Sequence, residues 1–313
     1  MNARIKIFAG RSHPELTQAI CDHLDLPVGK SEVVKFSNDN VMVKILENVR
    51  ECDVFYVQTA STPVNEHIIE TLIAIDALKS ASAARVTAVL PYFPYARSDK
   101  KDRPRISIAA RLMADLLQTA GADRVLCMDL HSPQIQGFFH VPVDQLEAAP
   151  LIAEYIRGYD LNNTVMVAGD AGHAKELARL NKRLGLPMAV VDKRRYADDD
   201  RAVATSLIGQ VEGMHAIIAD DEIATGGTVV EAARFLLEKG ALSVSVVATH
   251  GVLSGPAIER INDGPFRNVV VTDTMPVTEK KERCDKLKVL SVAPLFAKAI
   301  RRIHDGDSVS DLF

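Results

Sequence analysis

The chain has 313 residues, of which 47% are hydrophobic and 25% are charged, and its formal net charge is −4. This length suggests two domains, and the composition is typical of a soluble globular protein. The net acidity excludes a broad nucleic-acid footprint, and no apolar run approaches membrane-spanning length, so we expect neither a nucleic-acid partner nor a membrane. Four scattered cysteines without a CxxC pair indicate reduced thiols and a cytoplasmic protein.

Short apolar segments alternate with longer segments of helical periodicity along the chain. Strands are predicted at residues 5–8, 54–58, 86–90, 125–128, 165–168, 188–191, 217–219, 244–248 and 269–271, and helices at residues 64–79, 107–119, 173–184 and 228–239. This alternation is typical of parallel sheets covered on both faces, hence of an α/β fold. Ligands bind such sheets beyond the C-terminal ends of the strands. The loops that follow the strands are therefore the candidate functional segments, and residues 147–150 are the predicted domain boundary.

The loop at residues 91–107, PYFPYARSDKKDRPRIS, is rich in lysine and arginine. A run of charges is most often a solvated surface. Here the run follows an aromatic and proline-rich frame directly after a strand, which is unlike a casual surface loop. Guanidinium groups bind phosphates in fork geometry, so Arg97 is a candidate phosphate ligand.

Two further loops carry candidate cation ligands. Asp129 and His131 follow the strand at 125–128, and Asp170 follows the strand at 165–168. A carboxylate and an imidazole two residues apart can orient a cation or its bound waters, and Mg²⁺ uses few protein ligands beside substrate phosphates. A structural histidine is the alternative interpretation of His131.

The cationic segment DKRRY at residues 192–196 ends the strand predicted at 188–191. The polar, acidic residues 197–201 that follow suggest a mobile loop. Cations on such a loop can close over a phosphate and stabilise charge during transfer. A solvated loop is the alternative, and these residues alone favour it.

The segment at residues 216–231, AIIADDEIATGGTVVE, combines a strand end, an acidic pair, a glycine turn and a helix. A turn that opens a helix directs N–H groups at one point and can hold a phosphate. The residues that would do so are Thr225, Gly226, Gly227 and Thr228. Asp220 and Asp221 would hold sugar hydroxyls, directly or through a metal. A tight corner beside a solvated strand end is the alternative for the glycines alone, but the full combination predicts a sugar phosphate.

This segment resembles the phosphoribosyl-diphosphate-binding motif of type I phosphoribosyltransferases and ribose-phosphate diphosphokinases. Nearly the whole chain is similar to the ribose-phosphate diphosphokinase family, because further motifs occur in the family's order. They are KFSNDN (35–40), PYFPYARSDKKD (91–102), DLHSPQIQGFF (129–139), GDAGHAK (169–175), DKRR (192–195), THGVLSGPAIERI (249–261) and IRRIHDGDSVSDLF (300–313).

The resemblance implies two type I phosphoribosyltransferase-like domains, each a mainly parallel sheet flanked by helices. Residues 1–147 would carry the ATP-side loops and residues 148–313 the ribose 5-phosphate site, with the C-terminal segment packing back toward the first domain. The implied reaction transfers the β,γ-diphosphoryl group of ATP to O1 of ribose 5-phosphate, giving phosphoribosyl diphosphate and AMP. The implied cofactor is Mg²⁺, and the implied assembly is a homohexamer or another homo-oligomer that shares the ATP site between subunits.

The resemblance also implies roles for individual residues. Asp220 and Asp221 would hold the ribose hydroxyls, and the turn at residues 225–228 would wrap the 5-phosphate. ATP would contact Arg97, Asp99 and His131, and its adenine would lie between Phe36 and Asn38 of a neighbouring subunit. His131 and Asp170 match the family's metal-binding positions. Lys193 and Arg195 match its mobile catalytic loop.

The chain departs from the family's pattern at several positions: Asn40, Pro133, His140, His173 and Ala224. Ala224 stands where many members have Asp, and Pro133 where a Ser of the regulatory ADP site is common, so weakened allosteric inhibition by ADP is expected. Two alternatives stay open. A base phosphoribosyltransferase would share the motif at residues 220–228 but would not need the ATP-side loops. A non-catalytic, synthetase-like regulatory subunit is favoured by Ala224 and disfavoured by the unbroken DKRR segment.

Overall fold

The computed structural model describes residues 4–195 and 202–312, with the backbone alone at residues 171, 193–195 and 202–205. Its strands are β1 (Ile5–Ala9), β2 (Val28–Gly29), β3 (Ser31–Lys35), β4 (Val41–Ile45), β5 (Asp53–Val57), β6 (Arg85–Leu90), β7 (Arg124–Met128), β8 (Val143–Leu146), β9 (Thr164–Ala168), β10 (Met188–Arg195), β11 (Ala202–Ile208), β12 (His215–Glu222), β13 (Ser243–His250), β14 (Phe266–Thr272) and β15 (Leu287–Leu290). Its helices are α1 (Pro14–Leu24), α2 (Val64–Ser80), α3 (Ala109–Thr119), α4 (Ala149–Arg157), α5 (Ala174–Lys182), α6 (Gly227–Glu238), α7 (Ala257–Asp263), α8 (Thr278–Glu282) and α9 (Ala293–Asp305). Among these described helices, none combines the length and apolar character needed to cross a membrane.

The chain divides into two compact units. The first consists of residues 1–147, 274–276 and 292–313, and the second of residues 148–273 and 277–291. The C-terminal helix α9 therefore belongs to the first unit.

The first unit contains a six-stranded sheet in the order β2-β1-β5-β6-β7-β8, in which every paired strand is parallel. A separate antiparallel hairpin is formed by β3 and β4. The central strand β5 is buried along its whole length, as expected for a parallel strand covered on both faces. Phe8, Tyr56 and Phe93 are fully buried and form part of the core of this unit.

A buried ion network ties α9 to the sheet of the first unit. Asp53, at the start of β5, has no exposed surface and accepts hydrogen bonds from Nε and Nη2 of Arg85 at 2.8 and 2.5 Å. His304 Nδ1, on α9, lies 2.8 Å from Asp53 Oδ2, and Arg85 Nη2 donates to the carbonyl of Ile303 at 2.9 Å. A carboxylate removed from water in this way needs such partners to remain charged.

The second unit contains a seven-stranded sheet in the order β11-β10-β9-β12-β13-β14-β15. All neighbouring pairs are parallel except β10 and β11, which are antiparallel. The chain runs from β9 to β10 on one side and then returns to place β12 on the other side of β9. The strand order therefore reverses between β9 and β12, and this is where open α/β sheets bind ligands.

These two sheets confirm the α/β prediction. Every strand predicted from an apolar segment overlaps an observed strand, and each predicted helix overlaps α2, α3, α5 or α6. One difference concerns β12, which continues to Glu222 because its pairing with β13 continues to the Glu222–His250 pair. The two acids expected beyond the strand therefore lie within it.

Candidate active site

Three carboxylates lie at the reversal point of the second sheet. Asp220 and Asp221 occupy the C-terminal end of β12, and Asp170 follows the adjacent strand β9. The side chains of Asp220 and Asp221 are only 14% and 12% exposed. Burial raises the pKa of Asp220, and the adjacent Asp221 acts in the same direction. The site therefore gathers three carboxylates, two of which are largely shielded from water.

His173 lies among these three carboxylates. It ends a short 3₁₀ turn, Ala171–His173, that leads into α5. Its Nδ1 is 3.0 Å from Asp170 Oδ1, and its Nε2 is 3.7 Å from Asp220 Oδ1 and 3.5 Å from Asp221 Oδ1. The hydrogen bonds to Asp170 and Asp221 raise the pKa of His173 to about 11, although burial opposes the shift. The surrounding carboxylates therefore favour the protonated imidazole.

The turn between β12 and α6 is held by its carbonyl groups. The carbonyl of Ile223 accepts a hydrogen bond from the backbone N–H of Leu253, and that of Ala224 accepts one from Ser254, each at 2.9 Å. The carbonyl of Thr225 accepts from Nη1 of Arg260 at 3.0 Å. All three donors come from one segment, residues 253–260. Because successive carbonyls are fixed toward this segment, the peptide N–H groups of the turn are fixed as well. The turn is therefore a preorganised loop.

Glycine suits the two positions of the turn, 226 and 227, for different structural reasons. Gly226 has φ = 75° and ψ = −6°, a left-handed conformation that favours glycine. A Cβ atom on Gly227 would lie 3.3 Å from Arg260 Nη1, tighter than an ordinary contact. Helix α6 begins at Gly227, one residue earlier than predicted. The N–H groups of its first turn have no acceptor within the helix, and they carry its partial positive charge.

The predicted ribose-phosphate residues thus lie together in one unit. Asp220 and Asp221 lie near the C-terminal end of β12, Thr225 and Gly226 form the turn, and Gly227 and Thr228 begin α6. A phosphate beside the turn would meet helix N–H groups, and a sugar carrying it would lie toward the carboxylates. This arrangement can hold the two ends of a phosphorylated ribose.

The basic loop that follows β6 lies in the first unit. Phe93 is buried and contacts Phe139 edge-to-face at 5.9 Å between ring centroids. Beyond this anchor, Arg97 is exposed and Asp99 is half-buried. Tyr95 donates its hydroxyl to Asn65 Oδ1 at 2.6 Å. The aromatic frame noted in the sequence thus fixes the base of the loop and leaves Arg97 facing solvent.

The hairpin of β3 and β4 carries the other ATP-side candidates at its tip. Phe36 is 48% exposed, and Asn38 Oδ1 accepts from the N–H of Asn40 at 3.2 Å. Lys35, next to the tip, donates to Glu66 Oε2 at 2.8 Å. Glu66 and Asn65, which holds the basic loop, are neighbours in the first turn of α2. The first turn of α2 therefore contacts both loops that the sequence predicts to bind ATP.

His131 lies in the first unit, after β7. The preceding Leu130 is buried, and His131 itself is half-buried. Asp170, its predicted metal-binding partner, lies in the second unit and is also half-buried. Asp170 Oδ1 accepts from the backbone N–H of His173 at 3.2 Å, in addition to its contact with the imidazole.

The position of Lys193 and Arg195 requires a correction. The sequence placed them past the end of a strand, on a loop, but β10 continues to Arg195 and pairs with β11. Lys193 faces Ala204 and Arg195 faces Ala202 across the ladder, after a register shift at Asp192. Their backbones therefore belong to an antiparallel arm of the sheet. Their side chains, and the loop predicted at 197–201, lie outside the described part of the chain.

Sequence reasoning assigned no role to His173 or Arg260. His173 was noted as a departure, and the spacing Asp-x-x-His at the start of a helix is a signal that the two side chains meet. Arg260 lies in the motif at residues 249–261, but its contact with Thr225 spans 35 positions and leaves no local pattern.

Two mainly parallel units, one with an acidic strand end beside a glycine turn, define the type I phosphoribosyltransferase-like class of α/β proteins. Residues 5–121 match the family model for the N-terminal domain of ribose phosphate pyrophosphokinase. Residues 201–313 match the model for the phosphoribosyl synthetase-associated domain.

Full-length relatives support the same family assignment. The chain is 52% identical to a ribose-phosphate pyrophosphokinase from Deinococcus radiodurans, with full coverage of both chains. It is 50% identical to the Clostridium acetobutylicum ribose-phosphate pyrophosphokinase, covering 99% of this chain and 97% of that one. The crystal structure of phosphoribosylpyrophosphate synthetase from Mycobacterium smegmatis superposes with a TM-score of 0.92 at 44% identity, covering 97% of this chain and 99% of that one. The chain therefore belongs to the ribose-phosphate pyrophosphokinase family.

Proposed function

We propose that the protein transfers the β,γ-diphosphoryl group of ATP to O1 of ribose 5-phosphate, giving phosphoribosyl diphosphate and AMP. The observation that carries the proposal is the pairing, in the second unit, of two largely buried carboxylates on β12 with a preorganised turn at the start of α6. Membership of the ribose-phosphate pyrophosphokinase family gives the same activity.

The turn binds the 5-phosphate and the acids position the sugar. The N–H groups at the start of α6 and the hydroxyls of Thr225 and Thr228 donate to the phosphate. Asp220 and Asp221 accept hydrogen bonds from the ribose hydroxyls. With both ends of the sugar held, the O1 hydroxyl is presented to the nucleotide. This positioning supplies most of the catalysis that such a transfer needs, because no covalent nucleophile is required.

ATP is held by the loops of the first unit. Arg97 binds the phosphates, with Asp99 and His131 beside them, and Phe36 and Asn38 of a neighbouring subunit flank the adenine. The exposed phenyl ring of Phe36 on a two-stranded hairpin supports this assignment, since it leaves a flat apolar surface free for a base. Oxygen O1 attacks the β-phosphorus, the bond between the α,β-bridging oxygen and the β-phosphorus breaks, and AMP leaves as the O1 proton is released.

Lys193 and Arg195 neutralise the phosphate charge that develops during this step. Mg²⁺ fits the same region, because oxygen ligands suit this hard cation and Asp170, Asp220 and Asp221 offer three carboxylates. His131 and Asp170 are the residues proposed to hold it. When bound, Mg²⁺ neutralises the phosphates and orients them.

The oligomeric state and the cellular compartment of the enzyme are also part of the proposal. A homo-oligomer, such as a hexamer, would bring Phe36 and Asn38 to a neighbouring subunit's nucleotide. The four cysteines are all free and buried, which supports a reducing compartment such as the cytoplasm.

The test is to incubate the purified protein with ATP, Mg²⁺ and ribose 5-phosphate and to separate the nucleotides by chromatography. AMP should accumulate only when ribose 5-phosphate is present. Release of ADP would instead indicate an ordinary kinase. Absence of turnover would favour a regulatory subunit, and consumption of phosphoribosyl diphosphate with a free base would indicate a base phosphoribosyltransferase.

A further inference from the structure

Arg11 connects two glutamates of α2 in the first unit. It lies in the turn between β1 and α1, and its side chain is 35% exposed. Its Nε donates to Glu70 Oε2 at 2.7 Å, and its Nη2 donates to Glu66 Oε1 at 2.8 Å. Glu66 and Glu70 are four residues apart on one helix, a spacing at which like charges repel each other. The guanidinium group between them offsets this repulsion and fixes both carboxylates.

Glu70 is the buried end of this network. Its side chain has no exposed surface, and its Oε1 accepts hydrogen bonds from the backbone N–H of Arg11 at 2.9 Å, from Gln58 Nε2 at 2.9 Å and from the Tyr56 hydroxyl at 3.2 Å. Tyr56 lies in β5 and Gln58 directly follows it, and both are buried. A buried polar network whose bonds are satisfied is rigid. Glu70 therefore attaches Arg11 firmly to the centre of the sheet.

Glu66 is the outer end of the network and holds the hairpin of β3 and β4. Its Oε2 accepts from Lys35 Nζ at 2.8 Å, while its Oε1 accepts from Arg11. The bond from Lys35, followed by that from Arg11, lowers the pKa of Glu66 and keeps its carboxylate charged. Lys35 also pairs with Asp39 at 3.2 Å within the hairpin. An isolated exposed ion pair stabilises little, because two long side chains must be ordered to form it. Since Arg11 already fixes the Glu66 carboxylate, less ordering is needed for Lys35 to bind there.

The residue after Lys35 is Phe36, which is half-exposed at the tip of the hairpin. Packing of its own ring therefore does little to fix its position. We propose that Arg11 is a positioning residue for the nucleotide, because it fixes the carboxylate to which Lys35 binds and so holds Phe36 in place for the adenine. The proposal rests on the proposed function, which assigns Phe36 to ATP. A surface that is ordered before the ligand arrives binds more tightly, since less freedom is lost on binding.

The experiment compares Arg11→Met, Glu66→Ala and Lys35→Met with the unaltered full-length protein. Each variant breaks the network at a different link, so each should raise KM for ATP by at least about threefold, the lower end expected for groups of one ion-pair network. The rate constant kcat should stay within about twofold, because the adenine is remote from the reacting phosphate. The double variant Arg11→Met/Lys35→Met should be no worse than its more impaired parent, because both changes act through Glu66.

Urea unfolding separates this positioning role from a purely structural one. Arg11→Met leaves the buried carboxylate of Glu70 without the guanidinium group that pairs with it, and stability should fall clearly. Glu66→Ala and Lys35→Met remove partly exposed groups, and their stability should stay much closer to that of the unaltered protein. Across the three variants, KM for ATP should therefore rise without following the loss of stability.

Hydrogen exchange measured by mass spectrometry reports on the hairpin directly, without substrates. Peptides from residues 31–45 should exchange faster in all three variants, because the tip is closed by a bond from the N–H of Phe36 to the carbonyl of Asn40 at 2.8 Å. The matched control is Arg111→Met, which removes an arginine–carboxylate pair with Asp115 on α3 of the same unit. This variant should leave both KM for ATP and the exchange of the hairpin unchanged.

A normal KM for ATP in folded Glu66→Ala and Lys35→Met proteins would overturn the proposal, because any effect of Arg11→Met would then come from lost stability. Unchanged hairpin exchange in Arg11→Met would overturn it too, as would a double variant in which the two KM effects multiply. Faster exchange in a protein that forms no AMP would reject the proposed function and retain the role of Arg11 in fixing the hairpin. Normal AMP formation with unchanged exchange would reject the role of Arg11 alone.

Discussion

Arg260 on α7 donates Nη1 to the main-chain carbonyl of Thr225 at 3.0 Å. This bond joins an exposed side chain to the middle of the turn that opens α6. Together with the backbone bonds to Ile223 and Ala224, it fixes the direction in which the turn presents its N–H groups. Arg260 is therefore expected to position the phosphate loop without touching the reacting atoms.

Replacing Arg260 should impair ribose 5-phosphate binding more than turnover. A hydrogen bond with a charged donor contributes about 1.5–3 kcal/mol, so Arg260→Met should raise KM for ribose 5-phosphate by about tenfold or more. The rate constant kcat should stay within about threefold, because the loop binds the part of the sugar remote from O1. Steady-state kinetics with varied ribose 5-phosphate measure both quantities.

Two further variants separate the bond from the charge. Arg260→Gln keeps an N–H donor and should fall between the unaltered protein and Arg260→Met. Arg283→Met removes a cation that pairs with Glu259 on the same helix at 2.7 Å, and it should leave KM unchanged. Equal damage from Arg260→Gln and Arg260→Met would show that the charge matters and the bond does not.

The left-handed conformation of Gly226 gives a second prediction. Alanine at a left-handed position costs about 1–2 kcal/mol, so Gly226→Ala should lower stability and distort the turn. Gly213→Ala is the matched control, because Gly213 has φ = 70° with open space around its Cβ position and lies in a turn before β12. Both variants should lose similar stability in urea titrations, but only Gly226→Ala should raise KM for ribose 5-phosphate. A parallel rise in both would reject a local role for the turn.

Lys193 gives a third prediction, on turnover. The positive charge of Lys193 and its position in the DKRR segment predict that it stabilises negative charge on the transferring phosphates. Lys193→Ala should therefore lower kcat by at least about 10²-fold, the scale observed for removing one preorganised electrostatic donor. Substrate affinities should change much less. Near-normal kcat with a raised KM would assign the residue to binding alone.

The buried pair of Arg85 and Asp53 gives a prediction about stability. Arg85→Met would leave Asp53, which has no exposed surface, with His304 as its remaining side-chain partner among the described residues. Breaking a buried ion pair costs about 3–5 kcal/mol, which urea unfolding would detect. Arg111→Met removes the exposed pair with Asp115 and should cost less than about 0.5 kcal/mol. If the two variants lost the same stability, the network would not anchor α9 as its geometry indicates.

The sequence predicts the strands of both sheets well, because buried parallel strands are short continuous apolar runs. β9 and β12 illustrate this, and their order makes Asp170 and Asp220 neighbours. The hairpin of β3 and β4 is not predicted in this way, because its strands are half-exposed and carry no long apolar run. The C-terminal end of β10 is not predicted either, because a run of cations is typical of a loop and only the pairing with β11 shows that these residues belong to a strand.

The contacts within the site that join distant parts of the chain could not be predicted from the sequence. The identity of His173 is visible as a departure from the family's pattern, but its approach to Asp221 joins residues 48 positions apart and depends on β9 lying beside β12. Arg260 is hidden for the same reason. Motifs identify the residues that meet substrate, whereas the residues that hold those motifs in place are found only through the fold.

The most direct test of the central claim follows the phosphates of ATP. The protein is supplied with ribose 5-phosphate and with ATP labelled separately at the β- or the γ-phosphate, and the sugar product is isolated. Both labels should enter the product in equal amounts, with AMP as the only nucleotide released. Transfer of the γ-label alone, with release of ADP, would contradict diphosphoryl transfer and with it the function assigned to the protein.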